Sequence, residues 1–417
     1  MRVLALCHGL WYGGAQVSTV EFLRLIKDNI SVHVVVCNGA NPDFVQDIEA
    51  LGLDISKVPY RMVSNYPVMD VGAVASLVKE ADVVWISDVE YLAAPKVKRI
   101  KDVPVVAHLR SYALVCPWWG ASYGLREICL QPCCMQRVIR CKQMFNEELR
   151  KVGVMPRWRS ELYKILDVGK GPVDYLRWPL RNRDIINHFD GFIAVSKAVR
   201  EIHQKHISQF KDKPCEIVYN PFIMPHELAK APVENARDNS LKITFVDPGG
   251  GQLTKGPHIF LQAMKLLVNK GAGFDINMVG CKGTWVEKYA RRLGIAERIT
   301  FYGRLSTRNE VYKVMGSSSI VVVPSVSPEP FGRVALEANY LGVPVVASRT
   351  GGLTEIVEDG ATGFTVKPNN PESLADGITK ALTTSFSRER IQAITISKFN
   401  NNLIKNRFLQ FLEVFGA

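Results

Sequence analysis

Short apolar runs alternate with amphipathic stretches along most of the chain. In the first half, Val3–Cys7, Val32–Cys37, Val83–Ile86, Val103–Ala107 and Phe192–Val195 read as buried strands, with helical periodicity over Ala15–Lys27 and Val71–Lys79. In the second half, Ile243–Val246, Ile276–Val279, Ile299–Tyr302, Ile320–Val323 and Val343–Ala347 read as strands, with helices over Pro257–Val268 and Arg333–Leu341. Each parallel crossover needs a helix, so this alternation predicts an α/β protein of doubly wound sheets. Residues 109–190 interrupt it with a long, basic, mostly helical insertion. Pro221–Ser240, rich in Pro, Asn and charge, reads as a hinge. The expected organisation is a Rossmann-like domain over 1–225 and a second over 241–384, facing each other across a cleft. Helices in 385–417 should pack back on the first domain.

At 417 residues, with 47% apolar and 22% charged residues, the chain is long enough for two cores and is not a disordered one. No stretch approaches the roughly 18 apolar residues of a membrane span. The opening Met1-Arg2-Val3-Leu4-Ala5-Leu6-Cys7 starts like a signal peptide. Its apolar run stops at His8-Gly9 with no cleavage site after it, so it reads as a first strand in a cytoplasmic protein.

The net charge of +12 suits anionic partners. The excess concentrates between Arg137 and Arg183, where twelve Lys or Arg face five Asp or Glu, interleaved with Trp158, Tyr163, Tyr175 and Trp178. Such a segment is either a solvated helical surface or a contact to an anionic acceptor or an anionic membrane, on the inner face in a cytoplasmic protein. No nucleic-acid reading motif accompanies the charge, so nucleic acid is not an expected partner. Five of the nine cysteines, Cys116, Cys129, Cys133, Cys134 and Cys141, crowd into one part of the insertion. Their spacing lacks paired zinc hooks, leaving free thiols or a structural metal or disulfide staple open.

Three glycine-rich turns follow strands, where doubly wound domains bind ligands. Gly9–Gly14 is not the dinucleotide fingerprint, and Gly249–Gly256 lacks the Gly-Lys-Ser/Thr of a Walker loop. With Thr350-Gly351-Gly352 they suggest an anion held by backbone N–H groups and helix N-termini. Further on, Ser327-Pro328-Glu329-Pro330-Phe331-Gly332-Arg333 precedes Val334-Ala335-Leu336-Glu337. Glu329 therefore stands in a loop and Glu337 in the second turn of a helix.

This Glu-x7-Glu element in a Glu-Pro-Phe-Gly setting resembles that of glycosyltransferase family 4, retaining enzymes of the GT-B fold. The likeness extends to Tyr12-Gly13-Gly14-Ala15-Gln16, Val105-Val106-Ala107-His108, Val195-Ser196, Lys255-Gly256, Leu341-Gly342-Val343-Pro344 and Gly351-Gly352-Leu353-Thr354-Glu355. The resemblance implies transfer of a sugar from a nucleotide-diphosphate donor to a hydroxyl on a glycan or lipid-linked glycan, with no cofactor or catalytic metal. It places Glu337 on the ribose, Glu329 on the donor sugar, and Lys255 on the leaving diphosphate. The amides of Phe331, Gly332 and Arg333 and the loop at Gly13 and Gly14 would face that diphosphate, and His108 would touch donor sugar or phosphate. The family often carries an arginine shortly before the lysine. Phe245–Lys255 has none, so glycine amides, Arg333 or Arg304 would have to replace it. A non-catalytic glycan- or membrane-binding protein, a phosphorylase and a sugar-nucleotide epimerase of the same fold are the alternative readings.

Overall fold

The alternating elements assemble into two parallel sheets. A computed structural model describes residues 1–11, 13–63, 66–116, 122–123, 127–129, 135–154, 184–225, 241–247 and 249–416. Among them the first domain has strands β1 (Arg2–Leu6), β2 (Ser31–Cys37), β3 (Asp54–Val58), β4 (Val83–Ile86), β5 (Val105–Leu109), β6 (Gly191–Ala194) and β7 (Cys215–Ile217). Their order is β7-β6-β5-β4-β1-β2-β3, all parallel. The second has β8 (Lys242–Val246), β9 (Asp275–Val279), β10 (Ile299–Phe301), β11 (Ile320–Val323), β12 (Val345–Ser348) and β13 (Gly363–Val366), in the order β10-β9-β8-β11-β12-β13. Both sheets therefore step outward from their first strand and reverse beside it. That reversal opens a crevice at the carboxyl ends of the strands.

The central strands are apolar on both faces, which is what a sheet covered by helices on both sides requires. The strands absent from the periodicity, β3, β7 and β13, are edge strands. Asp54-Ile55-Ser56-Lys57-Val58 and Cys215-Glu216-Ile217 are short and partly polar because one side of each meets solvent. Within the insertion, Met135–Lys151 forms a helix whose Phe145 and Leu149 lean on the second domain's core, and Arg292 Nη2 donates to the Lys151 carbonyl at 2.8 Å. Cys116 and Cys129 are buried. Cys133, Cys134 and the aromatic residues of the basic segment lie outside the described residues.

Six helices carry the argument below: α1 (Gly14–Ile26), α2 (Lys197–His206), α3 (Pro257–Asn269), α4 (Arg333–Tyr340), α5 (Arg388–Lys398) and α6 (Asn401–Gly416). The last two separate. α5 stays with the second domain, where Gln392 Nε2 donates to the Tyr340 carbonyl and Arg388 to those of Gly316 and Ser318. α6 crosses to the first domain and inserts Phe408 between Phe22 and Trp85, with ring centroids 5.0 Å from each. The span 385–417 is thus divided between the domains instead of lying wholly on the first, because Arg388 and Gln392 find carbonyl acceptors on the second. Asn401 pins the crossing by bonding both the amide and the carbonyl of Phe222.

Several histidines are enclosed in this framework. His203 on α2 is buried, donates from Nδ1 to the Val199 carbonyl at 2.7 Å, and stacks on Tyr112. Burial pushes it down to about 4, against a smaller pull upward from that hydrogen bond. A base held neutral in the fold and free to protonate when unfolded gives stability that is present above the unfolded value and lost as pH falls toward the folded one. His203→Asn, which keeps a donor near Val199, should therefore lose less stability than the wild type between pH 7 and pH 5. The expected difference is about 1–2 kcal/mol. Denaturant titrations at both pH values measure it, and equal losses in the two proteins would show that His203 does not titrate on unfolding.

Candidate active site

The site begins with a close approach of two backbone segments. Gly351, at φ +57°, lies so near the loop before α4 that a Cβ there would stand 2.2 Å from the Glu329 carbonyl oxygen. The Gly352 amide donates to that same carbonyl at 2.8 Å. The glycine turn after β12 is therefore a backing for the Glu329 loop, not a phosphate cradle. From the first domain, Tyr112 Oη donates to the Glu329 carbonyl at 3.4 Å and Ser196 Oγ to that of Pro330 at 2.5 Å. Ser196 also caps α2 by accepting from the Val199 amide. Glu355 of the second domain receives the first two amides of that helix, Lys197 and Ala198, at 3.1 and 3.2 Å. The domains are thus closed around the loop that carries Glu329.

Lys255 reaches the same place from another direction. It ends a tight turn before α3, closed by Gly256 at φ +73°, where a Cβ would meet the Pro324 carbonyl at 2.0 Å. The turn can therefore lie on the segment after β11, and the Val326 amide donates to the Thr254 carbonyl. Lys255 Nζ then bridges both oxygens of Glu329, at 2.7 and 3.0 Å, and Ser325 Oγ donates to Oε1 at 2.6 Å. Burial opposes the lysine's charge, but Glu329 and then Asp247 outweigh it and hold it above the ordinary lysine value. Glu329 is nearly enclosed, while the Lys255 side chain is 37% exposed.

Two helix N-termini converge nearby. The amides of Phe331, Gly332 and Arg333, at the start of α4, have no acceptor among the described residues, nor do those of Gly14 and Ala15 at the start of α1. A Cβ on Gly14 would come within 3.4 Å of Arg333 Cδ, so the two helix starts are neighbours. Such ends attract anions. The Phe331 side chain turns away into the core against Tyr219 and Phe399. Glu337 is buried in α4 and accepts from Arg333 Nε and Nη2.

Two of three expected contacts are placed elsewhere. His108 has no exposed surface. The alternation along β5 turns it toward α1 and α6, where it packs against Phe22, Trp85 and Phe408, so it does not reach the cleft. Burial, then the charge of Arg110 3.2 Å from its Nδ1, holds it neutral. Arg304 is exposed on the segment after β10, and no hydrogen bond or ion pair of its side chain is seen among the described residues. The glycine loop after β8 also cannot supply the missing arginine's N–H groups. Asp247, buried at the end of β8, accepts from Gly249 and Gly251 at 2.9 Å and from Gln252 at 2.7 Å, and the Gly250 amide is spent on the Asp247 carbonyl. An aspartate just before a glycine run is the sequence signal for this anchor, since its short carboxylate reaches the amides of the residues that follow.

A second polar group was invisible to motif reading. At the carboxyl ends of β1 and β4, His8, Asp88 and Glu90 are buried together, with His8 Nε2 3.9 Å from Glu90 and 4.0 Å from Asp88. Asp88 Oδ1 and Glu90 Oε2 have no hydrogen-bond partner. Burial raises both carboxyls, and the charge of Asp88 raises Glu90 further. Trp11, exposed, stands edge-on to His8 at 4.6 Å.

Two doubly wound domains closed on a shared loop, with helix N-termini facing each other, define a GT-B protein. Its fold matches HepE of Anabaena in complex with UDP-glucose, TM-score 0.69 at 19% identity, over 99% of this chain and 100% of that one. It also matches the apo form of the lipopolysaccharide outer core galactosyltransferase WaaB, TM-score 0.64 at 15% identity, over 99% of each. The chain belongs to glycosyltransferase family 4: residues 12–222 match Glycosyltransferase Family 4, and residues 227–397 match Glycosyl transferases group 1. It is 35% identical over 213 residues to an uncharacterized glycosyltransferase of Methanocaldococcus jannaschii, 48% of this chain and 52% of that protein. It is 34% identical over 160 residues to a D-inositol 3-phosphate glycosyltransferase of Corynebacterium diphtheriae, 36% of each. The chain thus spans about half the length, or less, of these curated relatives. No helix among the described residues is long and apolar enough to cross a membrane, and none of their His, Cys, Asp and Glu side chains form a group of three or more able to hold a metal ion.

The Asp247 anchor makes a direct prediction. Asp247→Ala leaves three amides without their acceptor and should lower stability by about 3 kcal/mol. Thermal unfolding reads this, and an unchanged midpoint would mean that the loop holds its shape without the carboxylate.

Proposed function

We propose that this protein is a retaining glycosyltransferase that moves a sugar from a nucleotide-diphosphate sugar to a hydroxyl of a glycan or lipid-linked glycan. The observation that carries the reading is the Lys255–Glu329 pair beside the unoccupied amides of Phe331, Gly332 and Arg333. A lysine and a helix N-terminus stabilise a leaving diphosphate as its charge grows in the transition state. A carboxylate, which only accepts, suits sugar hydroxyls. In this reading Glu329 holds the donor sugar, Glu337 the ribose, and Gly13 and Gly14 the far side of the diphosphate. Donor binding lets Lys255 share its charge between Glu329 and the phosphate. His108 acts behind the site, by holding Arg110 at the end of β5. The relatives' names and the UDP-glucose of the Anabaena structure support a nucleotide-sugar donor.

Screening UDP-, GDP- and ADP-sugars by thermal shift should reveal one donor that stabilises the protein. With that donor, Glu337→Ala should mainly raise KM, because ribose contacts bind ground and transition states alike. Glu329→Ala should lower kcat by ~10²-fold, or about 3 kcal/mol, because it displaces the reacting centre. The product anomer, read by proton NMR coupling, should match the donor. Full activity in both variants, or an inverted product, would reject the mechanism. Turnover of the donor without acceptor would favour an epimerase, and no donor binding at all a non-catalytic protein.

The charge of Arg137–Arg183 favours peripheral attachment to an anionic membrane surface as the place where a lipid-linked acceptor is met. Sedimentation with anionic vesicles should fall as salt rises, because the attraction is screened. Equal binding to neutral vesicles would count against it.

A further inference from the structure

We propose that Glu21 of the first domain is a positioning residue for donor binding in the second, acting through Arg333 on Glu337. The inference rests on the reading of Glu337 as the ribose ligand. Arg333 leaves α4 and lies between the domains with its side chain 10% exposed. Nη1 donates to Glu21 Oε2 at 2.5 Å and to Ser18 Oγ at 2.9 Å, and Nη2 reaches Glu21 Oε1 at 3.2 Å. Ser18 and Glu21 stand one turn apart on α1 and so share a face toward α4.

The other side of the guanidinium is unusual. Nε and Nη2 converge on a single oxygen of Glu337, Oε1, at 3.0 and 2.8 Å. A guanidinium that meets one carboxylate ordinarily forks, with one N–H to each oxygen. Here Glu21 draws the terminal nitrogens toward α1, and Glu337 Oε2 keeps no hydrogen-bond partner among the described residues. Two carboxylates around one guanidinium also leave the trio with a net negative charge. Oε2 is therefore set up to receive hydroxyl donors, such as the vicinal hydroxyls of a ribose, and to repel phosphate. Burial alone would depress Arg333, but Glu21 and then Glu337 raise it, so the cation is fixed.

Without the charge at position 21, the guanidinium is free to close on both oxygens of Glu337, and a ribose must displace it. Because Glu21 and Glu337 belong to different domains, the ribose site is complete only when the domains are closed. A merely structural role for Glu21, as an inter-domain tie, would weaken every ligand of the cleft alike. The positioning role affects ribose hydroxyls specifically.

The experiment uses calorimetric titration of the full chain with UDP, GDP and ADP, followed by the 2′,3′-dideoxy form of whichever binds most tightly. Wild type should prefer the ribose form by about tenfold or more, the scale of a hydrogen bond to a charged group. Glu21→Gln keeps the shape and one acceptor, and should lose most of that preference. The effect should also vanish in a Glu337→Ala background, where the two changes cannot add. If Glu21→Gln is unfolded by circular dichroism, Arg333→Lys, which keeps the charge without the fork, should lose the preference in the same way. A wild type without preference would remove the ribose reading of Glu337 itself. A preference kept in the folded variant, or an equal loss for both probes, would overturn the role of Glu21 while leaving that reading in place.

Discussion

The packing of Gly351 and Gly352 directly on the backbone of Glu329 is the constraint on which the site depends. A Cβ on Gly351 would stand 2.2 Å from the Glu329 carbonyl oxygen and one on Gly352 2.6 Å from that of Phe331, so the turn after β12 can back the loop only as glycine. That contact fixes where Glu329 points and where α4 begins. It also sets which carbonyls Tyr112 and Ser196 can reach from the other domain. The same logic recurs at Gly256, whose close approach to Pro324 carries Lys255 to Glu329. Glycines in a doubly wound fold are readily taken as phosphate cradles. In this chain two of the three glycine turns serve to bring backbone against backbone, or are closed on an aspartate.

Charge inside the cleft is arranged by the same economy. Arg333 and Lys255 would both be disfavoured by burial alone, and each is retained by carboxylates that have no other partner of equal strength. At Arg333, where all partners are nearly enclosed, removing one member leaves the others buried and uncompensated, which costs more than the pair contributes. The pairs therefore hold their geometry firmly. Asp247 shows the contrasting case. Its bonds to three amides are complete within one loop, so it shapes the site without being offered to a ligand.

The central strands and the long helices were legible because a sheet covered on both faces demands unbroken apolar runs, as in Ile320–Val323, and a helix on a sheet demands its 3.6-residue period, as in Pro257–Asn269. Edge strands such as Cys215–Ile217 carry too little buried surface to leave that signature. The Glu-x7-Glu spacing likewise placed one carboxylate before α4 and one within it from helical geometry alone.

Partnership was a different matter, since it depends on residues far apart in the chain. Nothing local to Arg333 says that it will meet Glu21 some three hundred positions away, or that His108 will face α6 and not the cleft. Nor does any local pattern place Glu355 at the start of a helix in the other domain. Sequence by itself determined the central strands and long helices, their parallel pairing and the types of chemistry available, because those follow from periodicity and from what each side chain can donate or accept. Tertiary structure alone decided which of the charged groups are spent on one another and which remain open, because that depends on how two separately folded sheets close upon a single loop.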